Sequence, residues 1–167
     1  VGGRMKLHSL DESLGQLPNP PKRFVSVAGV IPVSQRSLLN AMPRFTRAAF
    51  YLVSTLSRLS HQELRYPSAG ISHYLCNGMD PMDVIHNLGF FGPLPTRVLT
   101  ARVPLAEGPP SCPVTYVVLN QDRLMPKEAQ ERMAQRIPGV EVAWIDSCHQ
   151  VMLHKPKELA EILLNYA

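Results

Sequence analysis

The sequence predicts an α/β fold in which a parallel sheet carries flanking helices and receives a helical cap insertion between two of its strands. Three short runs, residues 24–31 (FVSVAGVI), 114–119 (VTYVVL) and 140–145 (VEVAWI), are apolar and rich in β-branched side chains, as expected of strands covered on both faces. Helical patterns follow the second and third runs, giving the strand, helix, strand, helix order of a parallel sheet. The intervening stretch 34–110 is helical, loop-rich, proline-punctuated and strand-poor, which reads as the insertion.

Leu7, Leu10, Leu14 and Leu17 recur at three- and four-residue intervals, forming one apolar stripe on a first helix that stops before Pro18. The strand at 24–31 follows and ends at Pro32. A largely apolar helix is expected over 43–59. Asp80-Pro81-Met82-Asp83 opens another: an N-cap aspartate, proline at the first helical position and an acid in the first turn. Its apolar face carries Met82, Ile85 and Leu88, continued by Phe90 or Phe91. After the strand at 114–119, Pro126 opens a helix through about 137, stopped by Pro138-Gly139. The strand at 140–145 and an amphipathic helix over 157–166 complete the chain. Three regions result: 1–33, 34–110 as cap, and 111–167 as a core unit.

The chain of 167 residues is 45% hydrophobic, enough for one buried core. Its formal charge is +4, but the basic residues are scattered and form no nucleic-acid patch. Cys76, Cys112 and Cys148 show no metal-ligand spacing and leave one thiol unpaired under any pairing, which fits a reducing, cytoplasmic location. No apolar stretch approaches the roughly 20 residues of a membrane span, so no membrane association is expected. His8, His61, His73, His86 and His154 show no metal-binding spacing either and read as surface or cap residues.

Asp122, in Asn120-Gln121-Asp122-Arg123, and His149, in Ser147-Cys148-His149-Gln150, each occupy the loop leaving the C-terminal end of a predicted strand. Ligands bind at that edge of a parallel sheet. A carboxylate there can fix an imidazole's tautomer and stabilise its protonated form, leaving the other ring nitrogen to take a proton from a nucleophile. Taken alone, Asp122 reads rather as a cap for the helix near Pro126, and His149 as a loop residue; their joint placement reverses that reading and favours a site. No serine of the chain stands in a G-x-S-x-G pattern. Cys148 adjoins its own prospective base, a poor geometry for a nucleophile, and reads as a packing residue.

The run from Asn120 to Gln130 (NQDRLMPKEAQ) and the run from Cys148 to Leu159 (CHQVMLHKPKEL) fit the patterns D-x-x-x-P-x-x-x-Q and H-x-x-M-L-x-x-P-x-x-L. They resemble the C-terminal part of the α/β-hydrolases that include plant methylesterases, hydroxynitrile lyases and bacterial esterases. The likeness is strong over about the last 55 residues. Phe24 to Pro32 also resembles the strand after that family's nucleophile helix, and Tyr74 to Pro93 resembles its cap more weakly. Cys148 departs from the glycine or aspartate common before the family's histidine.

The resemblance implies the C-terminal half of an α/β-hydrolase fold, beginning just after the nucleophile elbow. Val1-Gly2-Gly3 would end that elbow, the serine would precede Val1, and the Val1 N–H would be an oxyanion-hole donor. A Ser-His-Asp triad with His149 as base and Asp122 as its anchor implies a hydrolase of small esters, thioesters or amides, with no metal and no cofactor. The hydroxynitrile lyases place a lysine near the histidine's turn, whereas Cys148, Gln150 and Val151 surround His149 here, so carbon-carbon lyase chemistry has less support. Acyl transfer on the same triad and a non-catalytic hydrolase-fold receptor or subunit are the other readings. Met79, Met82, Phe90 and Phe91 could wall an acyl pocket or simply pack the cap. Three interior-type strands would leave edges unpaired, so an N-terminal half chain is expected as partner, either in a heterodimer produced by proteolytic processing or as the other part of a backbone broken at the elbow.

Overall fold

The computed structural model describes residues 19, 21–31, 36–60, 67–93, 102–103 and 112–166. The expected helix over 7–17 and the Val1-Gly2-Gly3 segment lie outside the described residues. Three parallel strands, β1 (Phe24–Val27), β4 (Val114–Leu119) and β5 (Glu141–Ile145), form a sheet in the order β1-β4-β5. Phe24 is in register with Val114, and Thr115 with Glu141. A second, antiparallel ribbon pairs β2 (Arg36–Ser37) with β3 (Arg102–Val103).

All six residues of β4 are buried, as its central position demands. Alternation divides them between two cores. Tyr116 and Val118 face α5 (Lys127–Ala134), packing with Met125, Ala129, Met133 and Ile31. Val117 and Leu119 face the opposite layer, packing with Ile145, Val151 of α6 (Val151–His154), and Leu159 and Ile162 of α7 (Pro156–Leu164). Each fully buried side chain of this size is worth about 1.5–3 kcal/mol. β5 is less interior than its composition suggested: Trp144 remains 53% exposed, because the strand closes one edge of the sheet.

β1 is shorter than the run 24–31. Ala28 takes φ 44, in the left-handed region that a non-glycine residue occupies at a cost, and this ends the strand. The next residues are fastened by side chains instead of a ladder. Tyr116 Oη donates to the Gly29 carbonyl at 2.7 Å, Arg136 Nη1 donates to the Ile31 carbonyl at 3.0 Å, and the Ile31 N–H meets Met133 Sδ at 3.4 Å. A Cβ at Gly29 would clash with Ser26 Oγ, so the backbone passes where only glycine fits without a rearranged serine.

Between β2 and β3 lie α1 (Leu38–Ala41), α2 (Arg44–Ser60), α3 (Ser68–Gly70), a π-helical turn (Ile71–Leu75) and α4 (Pro81–Leu88). The expected start of α4 is present: Asp80 Oδ1 accepts the Met82 N–H at 2.8 Å, with Pro81 at the first helical position. The π turn, α6 and the ribbon were not foreseen. A small core of Ile71, Leu75 and Cys76, with Met79, Val84, Leu88 and Phe91 around it, is joined by Leu124 from the loop after β4. Met82 and Phe90 are instead exposed, at 70% and 75%. The four residues suggested as a pocket wall therefore do not form one surface.

Candidate active site

Asp122 and His149 leave adjacent parallel strands at the same end, and the structure brings them together. His149 Nδ1 lies 2.7 Å from Asp122 Oδ2. Ionised carboxylate oxygens only accept, so Nδ1 carries the proton and Nε2 is the free base nitrogen. Among the described residues no hydrogen bond reaches Nε2. The histidine side chain is 26% exposed and the aspartate side chain 0%.

The two aspartate oxygens divide their work. Oδ1 accepts the backbone N–H groups of Leu124 at 2.8 Å and Met125 at 2.9 Å, closing the turn that leads into α5. Oδ2 serves the imidazole. Asp122 thus closes the turn before α5 and does not cap the helix itself, whose N-cap is Pro126 with no side-chain hydrogen bond, and its second oxygen meets His149. A buried carboxylate needs such partners to stay charged.

Gln130, on the inner face of α5, is wholly buried beside this turn. Its Oε1 accepts the Leu119 N–H at 3.0 Å. Its Nε2 donates to the Leu119 carbonyl at 3.1 Å and the Met125 carbonyl at 2.6 Å, and lies 3.4 Å from Asp122 Oδ2. The opposite amide orientation would set an oxygen against two carbonyls and a carboxylate, so the assignment is forced by the network. Sequence reasoning quoted Gln130 within its motif without giving it a role; its spacing of eight residues from Asp122 was the available signal.

The loop before His149 is also tied down. The Cys148 N–H donates to His154 Nδ1 at 3.2 Å, and Ser147 Oγ lies 3.2 Å from the same nitrogen. His154 is therefore a brace of the site loop and not a plain surface residue. Gln121 N–H donates to the Ser147 carbonyl at 3.1 Å and Gln121 Nε2 to Asp146 Oδ2 at 2.9 Å, linking the two loops directly. Cys148 is fully buried, and burial pushes its thiol up from the usual range. Burial does the same to Cys76. A protonated, enclosed thiol fits the packing role expected for Cys148.

Three hydrogen bonds fasten the helical segment to these loops. Gln150 N–H donates to the Leu75 carbonyl at 3.2 Å, Asn77 Nδ2 to the Gln121 carbonyl at 2.8 Å, and Arg123 Nη1 sits 3.2 Å from His73 Nδ1. Gly78, at φ 79, lets the chain turn away close to Gln121 and His154. Among the described histidines, His86 packs its ring edge-on to Phe90. No group of histidine, cysteine and carboxylate side chains among the described residues could hold a metal. Nor is any helix among them long and apolar enough to cross a membrane. His8, His61 and the suggested oxyanion donor Val1 lie outside the described residues.

No protein-family model matches the chain. A curated Arabidopsis thaliana protein named "Putative methylesterase 19" is 32% identical over 96 residues, which cover 56% of this chain and 37% of that protein. The matched part is thus well under half of the relative's length. Among solved structures, an extracellular α/β-hydrolase from a Paenibacillus species superposes with a TM-score of 0.77 at 16% identity, covering 96% of this chain and 68% of that one. Methylesterase MES16 from Arabidopsis gives 0.61 at 16% identity, covering 99% and 70%. Polyneuridine aldehyde esterase gives 0.58 at 17%, covering 95% and 67%.

Proposed function

We propose that this chain, which shares the α/β-hydrolase fold of its structural neighbours and is similar to a methylesterase, is part of an ester hydrolase in which His149 is the general base and Asp122 its orienting acid. The 2.7 Å bond between His149 Nδ1 and Asp122 Oδ2 carries this reading. It leaves Nε2 to accept a proton while the carboxylate stays ionised.

The nucleophile is a serine outside the described residues, on the N-terminal half of the fold. Its oxygen attacks the ester carbonyl as its proton passes to His149 Nε2. Backbone N–H groups, with that of Val1 as one candidate, hold the oxyanion. The imidazolium then returns the proton to the departing alcohol, and a water molecule, deprotonated by His149, releases the carboxylic acid from the serine. A further observation supports an added half: β1 has strand β4 on one side and no strand on the other among the described residues. Whether that half is a separate chain produced by cleavage is answered by the intact mass of the purified protein.

Hydrolysis of a short methyl ester and of a p-nitrophenyl acetate by the intact protein tests the activity. The reading requires turnover by the wild type and its loss in His149→Ala. Binding of ligands without turnover in either would favour a non-catalytic subunit.

A further inference from the structure

Resting on the reading of Asp122 and His149 as a catalytic pair, we propose that Gln130 is the positioning residue that holds the Asp122 carboxylate in place for His149. The side-chain partners of Gln130 are Leu119, Met125 and Asp122, so it acts on His149 through the aspartate. Its amide clasps the last residue of β4, taking the Leu119 N–H and giving to the Leu119 carbonyl. The same nitrogen reaches the Met125 carbonyl at 2.6 Å, across the turn that Asp122 begins. Leu119 and Met125 therefore bracket Asp122 in the chain, and one buried side chain fixes both brackets.

The carboxylate itself is reached from two directions. Oδ1 is held by the Leu124 and Met125 N–H groups, which belong to the turn that Gln130 closes. Oδ2 lies 3.4 Å from Gln130 Nε2, a long contact beside the 2.7 Å bond to His149. The amide dipole thus favours the charged carboxylate without displacing the imidazole as its main partner. Because Gln130 has 0% exposure, water cannot substitute for it. An apolar residue at this position of α5 would leave the Leu119 N–H and the Leu119 and Met125 carbonyls without this partner, so the glutamine serves the backbone around Asp122 as well as the carboxylate.

The test uses the intact protein with Gln130→Met, which keeps volume and removes every polar contact, and Gln130→Asn, which keeps the amide one methylene short. The Asn variant retains hydrogen-bonding capacity, so it reports should Gln130→Met fail to fold. Two readouts are followed: the downfield proton resonance of the His149 Nδ1–H, assigned by its absence in His149→Ala, and the separate values of kcat and KM. We expect the resonance to be lost or broadened, and kcat to fall on the order of 10- to 100-fold with KM within about twofold, as for a misplaced catalytic group. A lowered melting temperature with the resonance and kcat unchanged would assign Gln130 to stability alone and overturn the proposal. Because the resonance is read without substrate, failure of the hydrolase reading is distinguishable: a wild type that hydrolyses no ester can still show, or fail to show, the dependence of His149 on Gln130.

Discussion

Asp122 divides its two carboxylate oxygens between the backbone of its own turn and the imidazole of His149. Its Oδ1 satisfies two turn N–H groups while Oδ2 orients His149. Replacing it by asparagine keeps an oxygen for the turn but offers the imidazole an amide, which favours the wrong tautomer. The account predicts that Asp122→Asn lowers kcat by about 10⁴-fold while the melting temperature stays close to wild type. Steady-state kinetics beside calorimetry check this. At Tyr116 the expected effect falls on stability. Tyr116→Phe removes the donor to the Gly29 carbonyl, a partly buried contact of 2.7 Å, and should cost about 1–2 kcal/mol in denaturant unfolding. The sequence made Asp122 and His149 legible because both follow clear strands at loop positions. It gave less warning of His154 and Gln130, whose importance comes from what their rings and amides meet across the fold.

Among the elements, β4 was readable because six consecutive buried residues leave an apolar run of strand length. The end of β1 was not. Nothing in Val27-Ala28-Gly29-Val30 distinguishes an alanine in the left-handed region from one in a strand, and only the tertiary fastening by Tyr116, Arg136 and Met133 determines it. The ribbon of β2 with β3 was equally hidden, since each strand has two residues and the partners lie far apart in sequence. Arg23, just before β1, ties the sheet across its strands. It pairs with Glu141 of β5 at 2.6 and 3.2 Å, donates to Thr115 of β4 at 2.9 Å, and lies 4.4 Å from the centre of the Tyr166 ring. Because Glu141 is largely exposed, its charge pairing is worth only up to about 1 kcal/mol. Arg23→Ala should therefore destabilise more than Glu141→Ala, as it also forfeits the threonine and ring contacts. Equal losses in chemical denaturation would contradict this.

For the whole molecule, the described residues form a sheet of three strands whose β1 edge has no neighbour, together with exposed apolar side chains such as Leu52, Leu56, Met82, Ile85 and Phe90. The proposed N-terminal half would supply strands beside β1, and the serine with them. Stability should also fall at alkaline pH. Burial raises Cys76 and Cys148 above 9.0, and burial together with the Asp122 charge raises Tyr116 above 10.0. The unfolded chain then loses these protons first, so folding becomes less favourable as pH climbs past about 9. Urea midpoints from pH 7 to 10.5 should decline over that window, and less so in Tyr116→Phe. In the proposed mechanism His149, anchored by Asp122, activates a serine contributed from outside the described residues. Its most direct test is fluorophosphonate labelling of the intact protein, with the modified peptide identified by mass spectrometry. The account predicts one labelled serine in the wild type and no label in His149→Ala; labelling undiminished by His149→Ala, or no labelled serine at all, would contradict it.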